Sequence, residues 1–321
     1  MTFWIAAYAS YLQGVNHIAV QKRTESILMI ASIISSFAVL SFGGGLIMLV
    51  LSTQIWSIVN TVLFRRICRS VEGGKLSEFS MKGIDRAVFD AVWPNAWRSG
   101  VGSAMSYGVI QMTGIFYAQI GNSRDVASYL FSLRFAQTIN QFSQAPFYTK
   151  LPRLAALRSE GKLEEMIAVA RHGMVRSYAI FAAGFAGLGF VIYPLLRMLN
   201  SNIDFVPPTV WILMGWAFFA ERYGAMHVQL YSISNHIVWH IANGISGVIN
   251  IAIILFAYRM LGISTFPAAL LISYVSFYSW YAARYSYKEY RMNFLSFEYH
   301  TSLFPAVLLM VFTIAAIFFQ W

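Results

Sequence analysis

The chain has 321 residues, of which 58% are hydrophobic and 11% charged, with a formal net charge of +10. Soluble domains average about 25% charged residues, so this composition excludes an ordinary soluble protein and predicts an all-α, polytopic membrane protein. The single cysteine, Cys68, excludes an internal disulfide and a paired-cysteine metal site. The basic residues lie in short loops between apolar segments, which argues against nucleic-acid binding.

About ten segments are apolar enough to cross a bilayer as helices, since roughly 20 residues span the hydrocarbon. The first segment is the weakest, because Gln13, Asn16 and His17 interrupt it. In chain order the predicted spans are 3–20, 25–42, 45–64, 95–120, 125–149, 173–196, 208–230, 236–258, 264–284 and 301–320.

The distribution of Lys and Arg orients these spans. If Lys22 and Arg23 face the cytoplasm, 16 of the 23 basic residues lie on that side, three lie outside and four lie within spans. Basic residues concentrate on the cytoplasmic side of membrane proteins, so the loops 65–92, 150–172 and 285–300 are predicted to be cytoplasmic. The N-terminus of the chain is then predicted to lie outside.

Two of these loops carry further patterns. The basic loop 65–92 contains Gly73 and Gly74 and is the predicted boundary between two helical bundles. The loop 150–172 has apolar residues at helical spacing, broken at Gly161. This pattern fits an amphipathic helix at the cytoplasmic membrane surface or a solvated connector, and both remain open.

The predicted span 95–120 carries two stripes. Small residues four apart permit close approach of helices and predict a contact at Gly100, Ala104 and Gly108. The neighbouring stripe is more polar and is predicted to face a cavity shared with the next span. Its members are Ser103, Tyr107, Gln111 and Gly114.

The predicted span 125–149 has one polar face, which is the main sequence evidence for a transport path. Arg134, Gln137, Gln141 and Gln144 recur at helical spacing, so they share one side of a helix. The opposite side is apolar and comprises Phe131, Phe135, Ile139 and Phe142. A polar face is not directed at lipid, so it lines a transport path or joins helices by hydrogen bonds.

Arg134 is the costliest residue of this span. Nine residues at about 1.5 Å each place it roughly 14 Å inside, near the middle of the bilayer. A central arginine costs at least about 2.5 kcal/mol and needs water, a carboxylate or an anionic substrate as compensation. Arg98, by contrast, lies near a helix end and can extend its charge to the surface.

Glu221 is the acidic residue that lies deep in a predicted span. Its neighbour Arg222 points about 100° away on a helix, so the two are predicted not to pair. Glu221 is predicted either to pair with Arg134 or Arg98, or to bind a coupling H⁺ or Na⁺.

A second polar stripe runs along the predicted span 236–258. It lines the cytoplasmic mouth of a cavity or joins helices, and it comprises His236, His240, Asn243, Gly247 and Asn250. No carboxylate or cysteine accompanies the histidines, so no metal site is predicted. Since no nucleotide-binding or hydrolase motif occurs and the loops are short, a carrier is predicted rather than an enzyme.

Short motifs follow one another along roughly residues 1–285. They are LQGVN at 12–16, GGGL at 43–46, WRSG at 97–100, GN at 121–122 followed by VASY at 126–129, APFYTKLP at 145–152, RLAAL at 153–157 and GK at 161–162. In this order they resemble motifs of the polysaccharide-unit flippases. These are the O-antigen and lipid-linked oligosaccharide exporters of the multidrug/oligosaccharidyl-lipid/polysaccharide exporter superfamily.

The resemblance implies two six-helix lobes around a central cavity that opens alternately to each side. The predicted domains are then 1–64 as a partial first lobe, 65–92 as a cytoplasmic linker, 93–284 as the second lobe and 285–321 as a basic loop with an additional helix. Only three spans precede the linker, so the first lobe is expected to lack its first three helices. That shortening would explain why the N-terminus is predicted to lie outside.

The resemblance also implies a cargo, a polyprenyl-diphosphate-linked oligosaccharide flipped across the bacterial inner membrane for surface polysaccharide or lipopolysaccharide synthesis. Arginine suits phosphate because its planar fork donates two hydrogen bonds. The expected phosphate ligands are Arg98, Arg134 and Arg222, and the expected sugar ligands are Tyr107, Gln111, Gln137, Gln141, Gln144 and Asn243. A polysaccharide polymerase and other assembly proteins are the expected partners, and no cofactor is expected beyond the coupling ion.

Two other functions remain open. A cation-coupled multidrug exporter of the same superfamily would use Glu221 as its coupling residue. Alternatively, the shortened chain is a remnant that no longer transports.

Overall fold

The computed structural model describes residues 7–12, 15, 17–71, 85–198 and 204–319. These residues are helical apart from short turns and contain no strand, which confirms the all-α prediction. By packing the chain divides into two compact units, Met1–Arg86 and Ala87–Trp321.

The first unit contains a helical hairpin. Helix α1 (Ile18–Ser41) packs against α2 (Leu46–Ser70) across a short turn. The hydroxyl of Ser35 lies 3.0 Å from that of Ser52 and accepts a hydrogen bond of 2.7 Å from the Trp56 indole. Large apolar side chains cover much of the outer surface of the hairpin, as lipid-facing helices require. Of the predicted span 3–20, the structure describes residues 7–12, 15 and 17–20, of which 7–12 and 18–20 are helical.

The second unit is built from ten helices of the described chain. They are α3 (Arg86–Ile120), α4 (Ser123–Tyr148), α5 (Leu151–Ser159), α6 (Leu163–Met198), α7 (Pro208–Ser232), α8 (Trp239–Leu261), α9 (Thr265–Ser273), α10 (Ser279–Glu289), α11 (Phe294–Thr301) and α12 (Leu303–Phe319). A 3₁₀ turn at Gly262–Ser264 precedes α9, and a π-helical turn at Tyr274–Tyr278 joins α9 to α10.

Helix α7 is the centre of this unit. It packs against α4, α6, α9, α10 and α12, while α4 and α6 lie along each other. The indole of Trp211 stacks on Phe185 at 3.9 Å between ring centroids, and Phe181, Met214 and Phe218 are buried around them. This aromatic core fixes the rotation of α7, and with it the directions in which its polar residues point.

Three helical runs are long and apolar enough to cross a membrane: Ile47–Ser70, Leu163–Met198 and Trp239–Glu289. A fourth results if Phe294–Thr301 and Leu303–Phe318, which meet at 54°, form one bent span. These runs support the prediction of a membrane protein, whereas ten spans in two lobes remain a prediction. The run Trp239–Glu289 is not one straight helix, because α8 packs against α9 and against the π-helical turn that follows it. The chain turns back at Gly262, whose φ of +52° suits a residue without a side chain.

Several helices extend into segments predicted to be loops. Helix α3 begins at Arg86 rather than at 95, and α6 begins at Leu163 rather than at 173. The loop 150–172 is thus mostly α5 and the start of α6, separated by a turn at Gly161. Its apolar residues Leu154 and Leu157 are buried in protein. The apolar residues of this segment therefore pack α5 onto α6. This contact differs from both predictions for the segment, a helix at the membrane surface and a solvated connector.

The small residues Gly100, Ala104 and Gly108 permit a close approach of helices, but the structure shows none at either glycine. A Cβ atom added at Gly100 or Gly108 would meet no atom within 4 Å, whereas at Gly102 it would lie 2.9 Å from the His240 backbone nitrogen. The Asn243 amide donates a 3.1 Å hydrogen bond to the Gly102 carbonyl at the same contact. The start of α8 is therefore the close neighbour of α3.

We expect Gly102→Ala to destabilise the protein by about 1–3 kcal/mol, because the added methyl group meets backbone that cannot rotate away. Gly108→Ala is the matched control on the same helix, and there alanine meets open space and gains helix propensity. Thermal unfolding of the purified variants in detergent measures the difference. Equal melting temperatures for the two variants would contradict the close contact of α3 with α8.

Candidate functional site

A polar cavity of about 440 Å³ lies between α3, α4 and α7. Helix α4 supplies most of its wall, because one side of that helix carries polar residues at successive turns. The lining residues are Ser106, Gln111, Arg134, Gln137, Asn140, Gln141, Gln144, Phe218 and Glu221. An adjoining hollow of about 250 Å³ shares Ser106, Gln144 and Glu221 with it and extends towards α8.

The predicted polar stripe of α4 is brought together in this cavity. All four of its members line the wall, and Gln111 of α3 and Glu221 of α7 face them. Asn243 lines the adjoining hollow, but it is buried and its amide donates to the Gly102 carbonyl. The side chain of Tyr107 lies outside the described part of the structure.

The apolar side of α4 behaves as predicted over most of its length. Phe131, Phe135 and Ile139 pack against the buried aromatic core. Phe142 is the exception, since 70% of its surface is exposed. The core contact of α4 resumes after it, because Phe147 near the C-terminal end of the helix is fully buried.

Arg134 carries a charge that no other described side chain neutralises. Its side chain is exposed to the cavity, and it forms no ion pair with a carboxylate of the described residues. The predicted pairing of Glu221 with Arg134 or Arg98 is accordingly wrong.

Glu221 pairs instead with its neighbour Arg222, which corrects the prediction that the two do not meet. Asn140 of α4 joins them, since its Nδ2 donates to Glu221 Oε2 at 2.9 Å. Arg222 Nε donates to Asn140 Oδ1 at 3.1 Å, and Nη2 donates to the Asn140 carbonyl at 2.9 Å. Nη2 also lies 3.5 Å from Glu221 Oε2. The two side chains leave the helix about 100° apart, but the long arginine turns towards Asn140 and so returns to the carboxylate.

Arg222 is fully buried and is not among the cavity-lining residues. Its charge stabilises the wall rather than facing the space inside, so the structure does not place it with Arg134. Asn140 was missed in the sequence, although it follows Gln137 by three residues and fits the same helical spacing. With Glu221 offset by Arg222, the cavity retains the positive charge of Arg134.

Arg98 and the two histidines of the second stripe lie outside the cavity wall. The Arg98 guanidinium lies 5.8 Å from the centre of the Trp97 ring, and Trp97 meets His240 edge-on at 5.4 Å. His236 stacks on Tyr231 at 5.8 Å. The histidines thus have separate aromatic partners, and no cluster of metal-ligating residues occurs within the part of the chain that the structure describes.

Comparison of the chain with known proteins identifies no relative. No family model matches the chain, and no curated protein or solved structure matches it either. The cavity and its charge are therefore the structural features that bear on function.

We expect Asn140→Ala to destabilise the protein by about 1–3 kcal/mol, because it removes the side-chain acceptor of a buried guanidinium and the donor to Glu221 and leaves only the backbone carbonyl. Gln141→Ala is the control, since this exposed neighbour makes no such contact and should change stability by less than about 0.5 kcal/mol. Thermal unfolding in detergent measures both variants. If the two unfold at the same temperature, Asn140 does not hold α4 against α7.

Proposed function

We propose that this protein is a carrier, not an enzyme, that flips a polyprenyl-diphosphate-linked oligosaccharide across the bacterial inner membrane for surface polysaccharide synthesis. The observation that carries the proposal is a cavity lined by amide side chains around one unpaired arginine. Alternating access, an N-terminus outside, a coupling H⁺ or Na⁺ and assembly with a polysaccharide polymerase belong to the same proposal.

The charge in the cavity suits a diphosphate. The guanidinium of Arg134 is free to donate parallel hydrogen bonds to two phosphate oxygens. A cation inside a membrane protein needs water or an opposite charge as compensation, and an anionic cargo supplies the opposite charge.

The amide groups suit sugar hydroxyls. Each glutamine side chain offers two hydrogen-bond donors and an acceptor, as a ring of hydroxyl groups requires. Four glutamines provide such groups on the cavity wall, whereas the amide of Asn140 is already bonded to Glu221 and Arg222. A volume of about 440 Å³ lies within the usual range of small-ligand sites, so it fits the polar head of a glycolipid while the apolar tail stays in the bilayer.

A cation-coupled drug exporter is the weaker proposal. It needs a carboxylate in the cavity that is free to bind and release a cation. The carboxylate of Glu221 accepts a hydrogen bond from Asn140 and lies next to the Arg222 guanidinium, so its charge is already offset.

We expect Arg134→Ala to abolish surface glycan when it replaces the chromosomal copy in the native host, and Arg134→Lys to retain part of it, because lysine keeps the charge but not the fork. Arg124→Ala is the matched control, since Arg124 opens the same helix but pairs with Asp204 outside the cavity. Extraction and quantification of surface polysaccharide, normalised to the amount of membrane-inserted protein, measures the effect. Wild-type glycan in Arg134→Ala would remove Arg134 from the site.

We also expect the purified full chain in nanodiscs to bind a short-chain prenyl diphosphate more tightly than the corresponding prenol. Loss of the charged hydrogen bonds in Arg134→Ala should weaken binding of the diphosphate by about 10- to 150-fold, corresponding to roughly 1.5–3 kcal/mol. Equal binding of diphosphate and prenol, with drug resistance lost in Glu221→Gln, would favour the drug exporter. If the wild-type chain supports neither surface glycan synthesis nor drug resistance, it is a remnant that no longer transports.

A further inference from the structure

A second buried polar cluster lies outside the cavity, where α7, α10 and α11 meet. His227 of α7 is fully buried. Its Nδ1 lies 2.6 Å from the Ser286 hydroxyl oxygen of α10, and its Nε2 lies 3.3 Å from Glu298 Oε1 of α11. The hydroxyl of Tyr287 donates to the same carboxylate oxygen.

The sequence pattern did not predict this cluster. The sequence predicts a cytoplasmic loop at 285–300 and places Glu221, not Glu298, deep within a predicted span. Instead the chain reverses at Arg291, which has φ of +51°, and α11 folds back so that Glu298 is only 8% exposed. The turn is completed by the Asn293 side chain, which accepts a hydrogen bond from the Ser296 amide at the start of α11.

The hydrogen atoms at this site fit two arrangements. The Ser286 oxygen lies 2.6 Å from His227 Nδ1 and 2.9 Å from the Ala283 carbonyl, but its single hydrogen serves only one of them. If the hydrogen points to Nδ1, the imidazole is neutral and its Nε2–H donates to Glu298. If it points to Ala283, Nδ1 donates to the hydroxyl oxygen and both ring nitrogens carry hydrogen. The two arrangements differ by one proton and require only rotation of a hydroxyl group.

The surroundings favour binding of that proton. The carboxylate of Glu298 is the anion next to the ring, and a buried opposite charge at this distance stabilises an imidazolium. Tyr223 of α7 stacks on the ring at 4.7 Å, and Tyr287 of α10 lies at 5.1 Å. Both phenols are neutral groups, so Tyr287 donates a hydrogen bond to Glu298 without offsetting its charge.

Helix α6 faces the cluster with two further titratable groups. The Arg171 guanidinium lies 5.5 Å from the centre of the Phe297 ring, which separates it from the histidine. Tyr178 is fully buried and lies within electrostatic range of both Glu298 and Arg222.

We propose that His227, Ser286 and Glu298 form a proton-binding site that joins α11 to α7 and α10. On protonation, Nδ1 accepts a proton from water, the Ser286 hydroxyl turns to the Ala283 carbonyl, and the imidazolium–carboxylate pair holds α11 in place. On deprotonation, the proton returns to water, the hydroxyl turns back to Nδ1, and the hold on α11 weakens to a neutral hydrogen bond. Use of this proton to drive export rests on the proposed function, whereas the binding of the proton does not.

Proton binding is tested directly in the full chain in nanodiscs, with ¹⁵N-labelled histidine and ring-nitrogen NMR shifts followed from about pH 5 to about pH 9. The six histidines are distinguished by loss of one signal in His227→Gln. We expect His227 to carry two ring hydrogens at low pH and one at high pH. In Glu298→Gln, which retains an acceptor for Tyr287 and Nε2–H, the doubly protonated form at about pH 6 should fall by roughly tenfold or more.

His300→Gln is the matched control, because this histidine lies on the same helix but is exposed and contacts only its own helix through Ser296. It should leave the His227 signal unchanged. A His227 ring that keeps one hydrogen over the whole pH range, or that titrates identically in Glu298→Gln, would overturn the proposal.

Coupling to transport is tested separately by the pH dependence of surface glycan in the native host. If the site drives export, glycan in Glu298→Gln should lose the pH dependence of the wild type, while His300→Gln keeps it. A titrating His227 with no glycan export by the wild-type chain would refute the proposed function and leave the proton site standing. Export with an unchanged pH profile would refute the coupling alone.

Discussion

Asn140 is the residue through which α4 and α7 are held in register. It donates to Glu221, accepts from Arg222 and is itself buried, so one amide satisfies a carboxylate and a guanidinium at once. A buried guanidinium without such partners is strongly destabilising, so α4 cannot rotate or slide without losing this contact. The position of every other polar residue on α4 follows from it.

The same contact decides the charge of the cavity. Because Glu221 and Arg222 offset each other, Arg134 is the charge that remains to face the space between α3, α4 and α7. A cavity with this balance favours an anionic head group over a cation. The polar residues that line the cavity also explain why α3, α4 and α7 are not among the described helices that are apolar enough to cross a membrane by composition. Polar residues of all three helices face the same cavity.

Helix α7 carries two buried polar networks one above the other. Glu221 and Arg222 belong to the cavity wall, and His227 belongs to the contact with α10 and α11. The intervening Tyr178 of α6 lies near charges of both. Buried polar groups cost free energy unless they are hydrogen-bonded or paired, so both networks constrain how α7 packs against its neighbours.

Periodicity along the chain was sufficient to predict helices, the polar face of α4 and its opposite apolar side at Phe131, Phe135 and Ile139. These features depend only on the angle between successive residues of one helix. Pairing of charges was predicted wrongly for Glu221, because its partner is reached through Asn140 on another helix. Glu298 was missed for the same reason, since a turn at Arg291 brings it back onto His227. Spacing within a helix gives the direction of a side chain from its own axis, whereas its partner depends on how helices distant in sequence pack, which only the tertiary structure decides.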